Sequence, residues 1–154
     1  MTRGANMKLL ISTLFTCGLL IQANICMAQQ SETFGNFEVH YNVINSNLLP
    51  AQVAQGYGIK RSSSRVLLNI TVIDKTIEAS GTPVQAQVTT STINLTGQRR
   101  SVEMRVILEP DGAIYYIGEL PIANMETYNF TVQVQPQGEP EPFELSFRWQ
   151  FYTE

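Results

Sequence analysis

The stretch Phe143-Glu-Leu-Ser-Phe-Arg-Trp-Gln-Phe151 decides the fold class. Large apolar side chains occupy every second position of it, and polar or charged side chains stand between them. Because successive side chains of a β-strand point to opposite faces of the sheet, this alternation predicts a strand with one face against an apolar core. It is the cleanest alternation in the chain, and it places these residues on the inward face: Phe143, Leu145, Phe147, Trp149 and Phe151.

Six more segments upstream of this stretch carry strand signals. Most alternate between apolar and polar residues over short runs, and turn-forming residues separate them, which is typical of antiparallel β-structure. The segment Ala113–Leu120 is apolar on both phases and therefore predicts a central strand that is buried on both faces. The others are Phe37–Val43, Arg65–Ile73, a strand that begins at Val84, Val102–Leu108 and Tyr128–Val134.

The connecting segments give further predictions. Pro110-Asp111-Gly112 predicts a hairpin turn, since Asp-Gly readily adopts the positive φ angles that such turns require. Pro50–Gln55, followed by Gly56 and Gly58, predicts a helix of one or two turns that stops at the glycines. Residues 29–33 are polar and predict a loose segment before the first strand.

Together these signals predict an all-β protein: a seven-stranded antiparallel immunoglobulin-like sandwich with one short helix after the first strand. A partly open barrel is the alternative. One strand is irregular, because its apolar phase changes between Val88 and Ile93, and this predicts a bulge or break near Thr90.

The N-terminal segment predicts export. Two basic residues precede an uncharged, mostly apolar run, Leu9–Ile25, and a small-x-small pattern ends at Ala28. This layout is typical of a secretory signal peptide cleaved after Ala28. The chain then divides into a signal peptide, residues 1–28, and a single β-sandwich domain, residues 29–154.

A membrane anchor and a lipid-modified N-terminus are the alternatives. The apolar run is slightly shorter than the roughly 20 residues that a spanning helix needs, and Gln22 and Asn24 interrupt its end. Cys17 and Cys26 follow Thr and Ile rather than the small residue that normally precedes a lipid-attachment cysteine. We therefore expect cleavage, no stable membrane insertion afterwards, and a mature chain without cysteine. A cysteine-free exported domain favours a bacterial periplasm, because small secreted eukaryotic domains tend to be rich in disulfides.

The charge of the mature chain excludes some partners. Without Arg3 and Lys8, eight of the ten Lys and Arg residues remain against thirteen Asp and Glu residues, which gives a net charge of −5. Nucleic-acid binding and membrane-surface binding both favour a basic face. We therefore expect neither.

The sequence offers little catalytic chemistry. The only histidine, His40, lies on the outward phase of the first predicted strand between Glu38 and Asn42, where a solvated side chain is typical. No Gly-x-Ser-x-Gly motif presents a nucleophile, and one histidine without a mature cysteine does not make a usual zinc site. The sequence therefore predicts no catalytic residue, no metal and no cofactor.

The strongest candidate for a contact surface is the segment Gly56–Arg65. Its glycines allow close backbone approach, and its cations and serine hydroxyls are suited to an anionic group such as a carboxylate or phosphate. The alternative is a capped helix end followed by a solvated basic connection. The candidate binding residues are Tyr57, Lys60, Arg61 and Arg65.

Several stretches resemble a small exported family, found mainly in gammaproteobacteria and catalogued only as a domain of unknown function. They are Phe34–Asn42, Val53–Ser62, Asn94–Gln98, Ala113–Ile117 and Phe147–Glu154, in matching order over nearly the whole mature chain. The resemblance implies a periplasmic β-sandwich. It implies no activity, ligand or catalytic residue.

These observations predict a non-enzymatic periplasmic binding or interaction module, whose partner is an envelope protein or an anionic ligand. A hydrolase of cell-envelope material that uses acidic residues is one alternative, since any two carboxylates can meet in space. A small-ligand carrier with an apolar cavity between the sheets is the other.

Overall fold

A computed structural model of the protein describes residues 30–153, which form two antiparallel sheets packed face to face. The predicted cleavage site after Ala28 lies outside the described residues. The strands are β1 (Gln30–Phe34), β2 (Phe37–Asn45), β3 (Arg65–Asp74), β4 (Thr82–Pro83), β5 (Ala86–Asn94), β6 (Arg99–Val102), β7 (Met104–Leu108), β8 (Ile114–Pro121), β9 (Thr127–Pro136) and β10 (Phe143–Gln150). In sheet A the order is β1-β2-β3-β8-β7, and in sheet B it is β10-β9-β5-β6.

The all-β class and the short helix after the first long strand are confirmed. A 3-10 turn (Ser46–Leu48) and helix α1 (Ala51–Gly56) connect β2 to β3. The Asp-Gly turn is confirmed too: Gly112 has a φ of 92°, and its amide donates to the Glu109 carbonyl at 3.0 Å between β7 and β8.

The predicted count of seven strands is wrong, because the described residues form ten. Two of the additional strands are short or polar edge elements that show no apolar alternation. β1 has one apolar residue in five, yet it pairs with β2 along its whole length through the turn at Gly35. Its Phe34 ring stacks on Phe143 of sheet B at 5.1 Å, so the predicted loose segment is an ordered edge strand. β4 is a two-residue pairing with the end of β3.

The remaining additional strand arises because one predicted strand is divided between the sheets. β6 pairs with β5 in sheet B, whereas β7 pairs with β8 in sheet A, so the chain changes sheets at Glu103. Gly118 of β8 lies against this crossing. A Cβ atom there would be 2.6 Å from both Met104 Sδ and Val102 Cγ1, and 3.2 Å from the Glu103 carbonyl oxygen.

The predicted bulge near Thr90 is also wrong. β5 keeps one register with β9 from Ala86 opposite Pro136 to Asn94 opposite Tyr128. The inward phase continues through Thr90 and Thr92, which are 4% and 2% exposed. Buried polar residues therefore continue the inward phase, where an apolar pattern alone showed a break.

The space between the sheets is filled by the predicted inward residues. In β3 the alternate residues Val66, Leu68, Ile70 and Val72 are buried, and from sheet B come Phe130, Val132, Val134 and Leu145. Rings of Tyr41, Phe147 and Phe130 stack in succession from sheet A into sheet B, with centroid separations of 4.6 and 4.8 Å. Offset ring pairs at such distances add to the stability gained from buried area.

Candidate functional site

A second apolar cluster lies on the outer face of sheet A, opposite the main core. Ile44 of β2 pairs with Leu67 of β3, and Ile117 of β8 lies on the same face, next to Asn69. In a half-buried strand, side chains at these positions face solvent. Because the side chains here are apolar, we expect another segment to cover them. The buried members of the cluster are Ala54, Ile59, Leu67 and Ile117, and the half-buried ones are Ile44, Leu49, Tyr57, Ile107 and Tyr115.

The cover is the segment of residues 46–62 between β2 and β3, which we call the strap. Its two ends are fastened by Ser46, which is fully buried. The Ser46 Oγ donates to the Lys60 carbonyl at 2.8 Å and accepts from the Ser62 amide at 3.0 Å. One buried hydroxyl therefore joins the start of the strap to its return.

Helix α1 and the glycines shape the middle of the strap. The Pro50 carbonyl accepts from the Ala54 amide at 3.0 Å, which begins the helix. Gly58 has a φ of 63°, a left-handed conformation that glycine adopts without steric cost and that commonly ends helices. The Ile59 amide then donates back to the Ala54 carbonyl at 2.8 Å, and both of these side chains are buried on the sheet.

A cleft of about 290 Å³ separates the strap from sheet A. Its lining is mostly aliphatic and aromatic, and Asn42 and Asn69, which are paired across β2 and β3, supply amide groups. Among the described residues, none of those that line the cleft is charged. The lining consists of Asn42, Ile44, Leu49, Val53, Tyr57, Ile59, Leu67, Asn69, Ile107, Tyr115 and Ile117.

Tyr57 connects the strap to the β7–β8 hairpin. Its phenol hydroxyl donates a hydrogen bond to Oε1 of Glu109. This hydrogen bond is the main reason why the pKa of the Tyr57 phenol lies above its usual range, and partial burial adds to the effect. The phenol therefore stays protonated and remains a donor at neutral pH.

The structure places one of the four predicted binding residues in the cleft and the other three outside its lining. Tyr57 lines the cleft. Lys60 is exposed on the strap, and Arg61 is exposed with its Nη2 donating to the Asn47 carbonyl at 2.8 Å. Arg65 is half-buried at the start of β3, and its Nη2 lies 3.4 Å from Glu119 Oε2.

Arg65 also shares its carboxylate partner with a second arginine. Arg105 Nη2 of β7 lies 3.9 Å from Glu119 Oε1, so two guanidinium groups flank one carboxylate across three strands. Glu119 already balances part of this charge, which weakens the attraction of this position for an external anion.

His40 lies on the outer face, as predicted, but it is less solvated than expected. Its side chain is 23% exposed and its Nε2 lies 3.6 Å from Glu38 Oε1. Its Nδ1 is buried and has no hydrogen-bond partner among the described residues. Lys75 Nζ is the closer partner of Glu38, at 2.6 Å, and the hydrogen bond from Lys75 is the main reason why the pKa of Glu38 is lowered.

Most residues of the cleft lining carry no signal in the sequence. Nothing in the sequence around Asn69 and Ile107 indicates a cleft, because only the register of β2, β3, β8 and β7 brings them to one face. Glu109 follows β7 and joins the site through its contact with Tyr57. A usable signal was present in Ile44 and Leu67, two apolar residues on the outward phase of neighbouring strands. Such residues indicate a second covered face.

No helix within residues 30–153 is long and apolar enough to cross a membrane. The same part of the chain contains no group of three or more His, Cys, Asp or Glu side chains arranged to hold a metal ion.

The fold and the cleft define a class: a two-sheet antiparallel β-sandwich with an apolar cleft under an irregular strap on one outer face. Within this class the chain belongs to the family described as "Domain of unknown function (DUF4426)", whose model matches residues 31–154. The family resemblance predicted from the sequence is confirmed by this match.

Solved structures give the same relationship. The chain is similar to a DUF4426 family protein from Pseudomonas aeruginosa, with 37% sequence identity and a TM-score of 0.70, covering 81% of this chain and 95% of that one. It also aligns with the yeast GGA1 GAE domain at 10% identity and a TM-score of 0.31, covering 80% and 98% of the two chains, a score too low to relate the folds. A comparison with curated proteins found no match.

Proposed function

We propose that this protein is a non-enzymatic binding module of the bacterial periplasm, and that its binding site is the cleft beneath the strap. The observation that supports the proposal is the cleft itself, about 290 Å³ of mostly apolar space outside the main core. The cleft is partly open to solvent, and concave apolar sites with a few polar groups are typical of ligand binding.

The predicted anionic partner is a separate possibility for the rim. Lys60 and Arg61, which we call the rim, are exposed on the strap and follow Ile59 of the cleft lining in the chain. An envelope protein that contacts the strap, or an anionic ligand held at these two residues, would use this rim. Arg65 is the weaker candidate because Glu119 engages it.

The alternative of a small-ligand carrier gains support from the cleft. The sequence had suggested a cavity between the two sheets, whereas the cleft lies on the outer face of sheet A. The space between the sheets is occupied by rings such as Phe130 and Phe147, which stack at 4.8 Å. A carrier role would therefore use the outer cleft. The first proposal includes this case, since both require binding under the strap.

The alternative of an acid-dependent hydrolase has less support. Hydrogen bonds from Thr76 lower the pKa of Asp74. Burial would raise the pKa of Glu126, but hydrogen bonds from Asn94, Tyr128 and the Ala123 amide and the charge of Arg100 together outweigh it and lower the pKa. A general acid requires the opposite shift. Near the cleft, Glu109 and Glu119 are engaged by Tyr57 and Arg65.

Site-specific photocrosslinking in bacteria that produce the full chain tests the binding site. The photoreactive residue replaces Val53, which lines the cleft and is 40% exposed, or Lys60 or Arg61 on the rim. Asn129, which is exposed on the outer face of sheet B, is the matched control position. We expect specific adducts from the strap positions only. Equal adduct patterns at Asn129 and at the strap would refute the strap as the binding surface.

The location is tested separately by osmotic-shock extraction and intact-mass measurement. We expect the protein in the periplasmic fraction with a mass that begins at Gln29, because the signal-peptide pattern ends at Ala28. A chain that keeps Met1 or Met7 and stays with the membrane pellet would contradict both export and cleavage.

The immunoglobulin-like arrangement also stays a proposal. Its support is the pair of antiparallel sheets packed face to face. An experimental structure that superimposes strand for strand on an immunoglobulin domain would support it, and one with a different strand order would rule it out.

A further inference from the structure

Strand β7 lies at one edge of sheet A, and one of its sides is open. It pairs with β8, and no other strand within residues 30–153 pairs with its second side. The amide of Glu109, directly after the strand, donates to the Ala113 carbonyl of the hairpin at 2.9 Å. Because the backbone groups of successive residues point to opposite sides of a strand, those of Val106 and Leu108 point away from β8. They form a template to which another strand can add.

The side chains of this edge are apolar and open to solvent. Val106 and Leu108 are 53% and 59% exposed, although their phase faces the core at Met104. Ile107, on the opposite phase, is half-buried and lines the cleft. Natural sheets usually protect such an edge by a charge, a bulge or a covering segment. The exposed apolar pair therefore indicates a strand that binds a partner.

The order of charges along this edge indicates which partner fits. Arg105 and Glu109 stand two residues before and two residues after Ile107, on the same phase. When two β7 strands pair antiparallel with Ile107 at the centre, each Arg105 lies opposite the partner subunit's Glu109. Each Val106 then lies opposite the partner subunit's Leu108. Opposite charges and apolar pairs both stabilise directly opposed positions, so the strand is complementary to itself.

The backbone fits the same register. The outward amides and carbonyls of Val106 and Leu108 form hydrogen-bonded pairs across the interface, and each pair exchanges bonds in both directions. Ile107 then meets its own copy at a position without hydrogen bonds, where opposed side chains lie closest. A shift of the centre to Val106 would set Arg105 opposite Ile107 and lose both charge pairs.

The contacts that these two charged residues make within one copy leave room for the partner. Tyr57 donates to Oε1 of Glu109, and this bond leaves Oε2 for a guanidinium group. Arg105 Nη2 lies 3.9 Å from Glu119 Oε1, which is long for an ion pair, and the Arg105 side chain is 46% exposed. Both charges are therefore accessible at the edge.

We propose that two copies of this protein associate through β7, as antiparallel strands related by a two-fold axis at Ile107. The association joins the two A sheets into one continuous sheet and covers Val106 and Leu108. It goes beyond the proposed function, and it sets the partner subunit's Ile107 beside the cleft-lining Ile107 of the first copy. A pair of short strands makes an interface of the class below about 1,200 Å², which is typical of transient complexes. The dimer therefore dissociates on dilution.

Sedimentation velocity of the purified exported protein, at micromolar to millimolar concentrations, tests the dimer. We expect the sedimentation coefficient of the unmodified protein to rise with concentration. Arg105→Glu sets two carboxylates opposite each other, and Glu109→Arg sets two guanidinium groups opposite each other. Each variant is expected to weaken self-association about tenfold or more, because like charges at opposed positions repel. Arg99→Glu, the same charge change on the exposed edge strand β6, is the matched control and is expected to have no effect.

A mixture of the two variants separates pairing between copies from a role within one copy. Arg105→Glu in one copy and Glu109→Arg in the other restore an opposite-charge pair at both ends of the interface. We expect the mixture to associate about as tightly as the unmodified protein, although each variant alone stays monomeric. A role within one copy, such as the bond between Tyr57 and Glu109, predicts no such rescue. Urea unfolding of each variant verifies that it is folded.

Three outcomes would overturn the proposal. An unmodified protein that stays monomeric at every concentration shows that Arg105 protects a free edge instead of pairing it. A dimer that persists in both single variants, or a mixture that stays monomeric while the unmodified protein dimerises, rules out this register. A photoreactive residue at Val106 that gives adducts only with another protein assigns the edge to that protein. Crosslinking from Val53 tests the cleft separately, so the proposed function stands or fails independently.

Discussion

At the scale of single residues, the hydrogen bond from Tyr57 to Glu109 holds the strap against the β7–β8 hairpin. The two residues are 52 positions apart in the chain, so the bond joins an irregular segment to a distant hairpin. Irregular segments open locally more easily than strands, and a contact of this kind limits the opening. Access to the cleft therefore depends on this pair.

Replacing Tyr57 by Phe keeps the ring over the cleft and removes the hydroxyl. We expect the amides of Tyr57 and Ile59, which bond within the strap, to exchange with deuterium several-fold faster. Tyr152→Phe is the control, since Tyr152 is 57% exposed and its hydroxyl bonds only locally, to Gln150 at 3.1 Å. Hydrogen exchange measured by NMR checks the result, and unchanged rates in Tyr57→Phe would show that the bond does not restrain the strap.

The sequence could predict Tyr57 because glycines on both sides mark an irregular corner. It could not predict Glu109 or Asn69 as parts of the site. Glu109 flanks a hairpin turn, where a solvated acid is the usual case, and Asn69 stands on an outward strand phase, where a polar residue needs no explanation. Only the register of four strands and the path of the strap bring these residues together.

At the scale of elements, the fold depends on the place where the chain changes sheets between β6 and β7. A regular alternation through Val102, Met104 and Val106 predicts one strand, and this pattern contains no signal for the change. The space that permits it is on β8, at Gly118, which has no side chain to meet Val102 and Met104. Sequence alternation thus predicted the inward phase but neither the change of sheet nor the exposure of Val106 and Leu108, which are 53% and 59% exposed at the edge strand β7.

Gly118→Ala tests this crossing. The added Cβ would lie 2.6 Å from two side chains and 3.2 Å from the Glu103 carbonyl oxygen, so the crossing must shift. We expect the free energy of unfolding to fall by about 1–3 kcal/mol, as in other overpacked cores. Gly56→Ala is the matched control, because its Cβ meets nothing within 4 Å, and Ala is slightly favoured over Gly in a helix. Urea unfolding curves check both, and equal stability of the two variants would contradict a tight crossing.

The turn between β8 and β9 is held by a carboxylate. Glu126 Oε1 accepts from Asn94 Nδ2 at 2.9 Å and its Oε2 accepts from the Ala123 amide at 3.1 Å. Burial alone would raise the pKa of Glu126, but these hydrogen bonds, with Tyr128 and the charge of Arg100, together outweigh it and the pKa is lowered. The charged form therefore contributes to the stability of the folded state.

The sign of the pH dependence follows from this shift. The unfolded pKa of Glu126 is near 4.5 and the folded one lies below it, so the stabilisation is complete above pH 4.5 and is lost as the pH falls through the folded pKa. We expect Glu126→Gln to reduce the free energy of unfolding at pH 7 by about 1 kcal/mol, allowing for solvent screening. As the pH falls below 4.5, we also expect Glu126→Gln to lose less stability than the unmodified protein, because the variant has no carboxylate to protonate. Parallel pH profiles from urea unfolding would contradict the role of this carboxylate.

At the scale of the whole molecule, the two sheets are held together by apolar packing. Residues 30–153, which form both sheets, contain no cysteine, so no disulfide lies within this part of the chain. The alternating residues of β2, β3, β9 and β10 could be assigned to this core from the sequence because the period of two is intrinsic to a strand. The sequence could not predict β1, because an edge strand of polar residues shows no apolar alternation. It could not predict the regular path of β5, because buried threonines take the place of apolar residues there.

Phe130→Ala measures how much the core contributes. Phe130 is 1% exposed and its ring stacks on Phe147. We expect the free energy of unfolding to fall by about 3–5 kcal/mol, the usual cost of this change in a core. Phe143→Ala is the matched control at the edge of the core, where the ring is half-buried and stacks on Phe34 of the edge strand β1.

The free energy of unfolding is expected to fall less in Phe143→Ala, because a cavity at the edge of the core opens to water and β1 can readjust. Urea unfolding of both variants, without and with a thiol reductant, gives the comparison. We expect the reductant to change neither curve, since stability comes from packing rather than from a disulfide. A larger loss in Phe143→Ala would place the main stabilising contact at the β1–β10 edge, and a reductant-sensitive curve would mean that Cys17 or Cys26 stays in the mature protein.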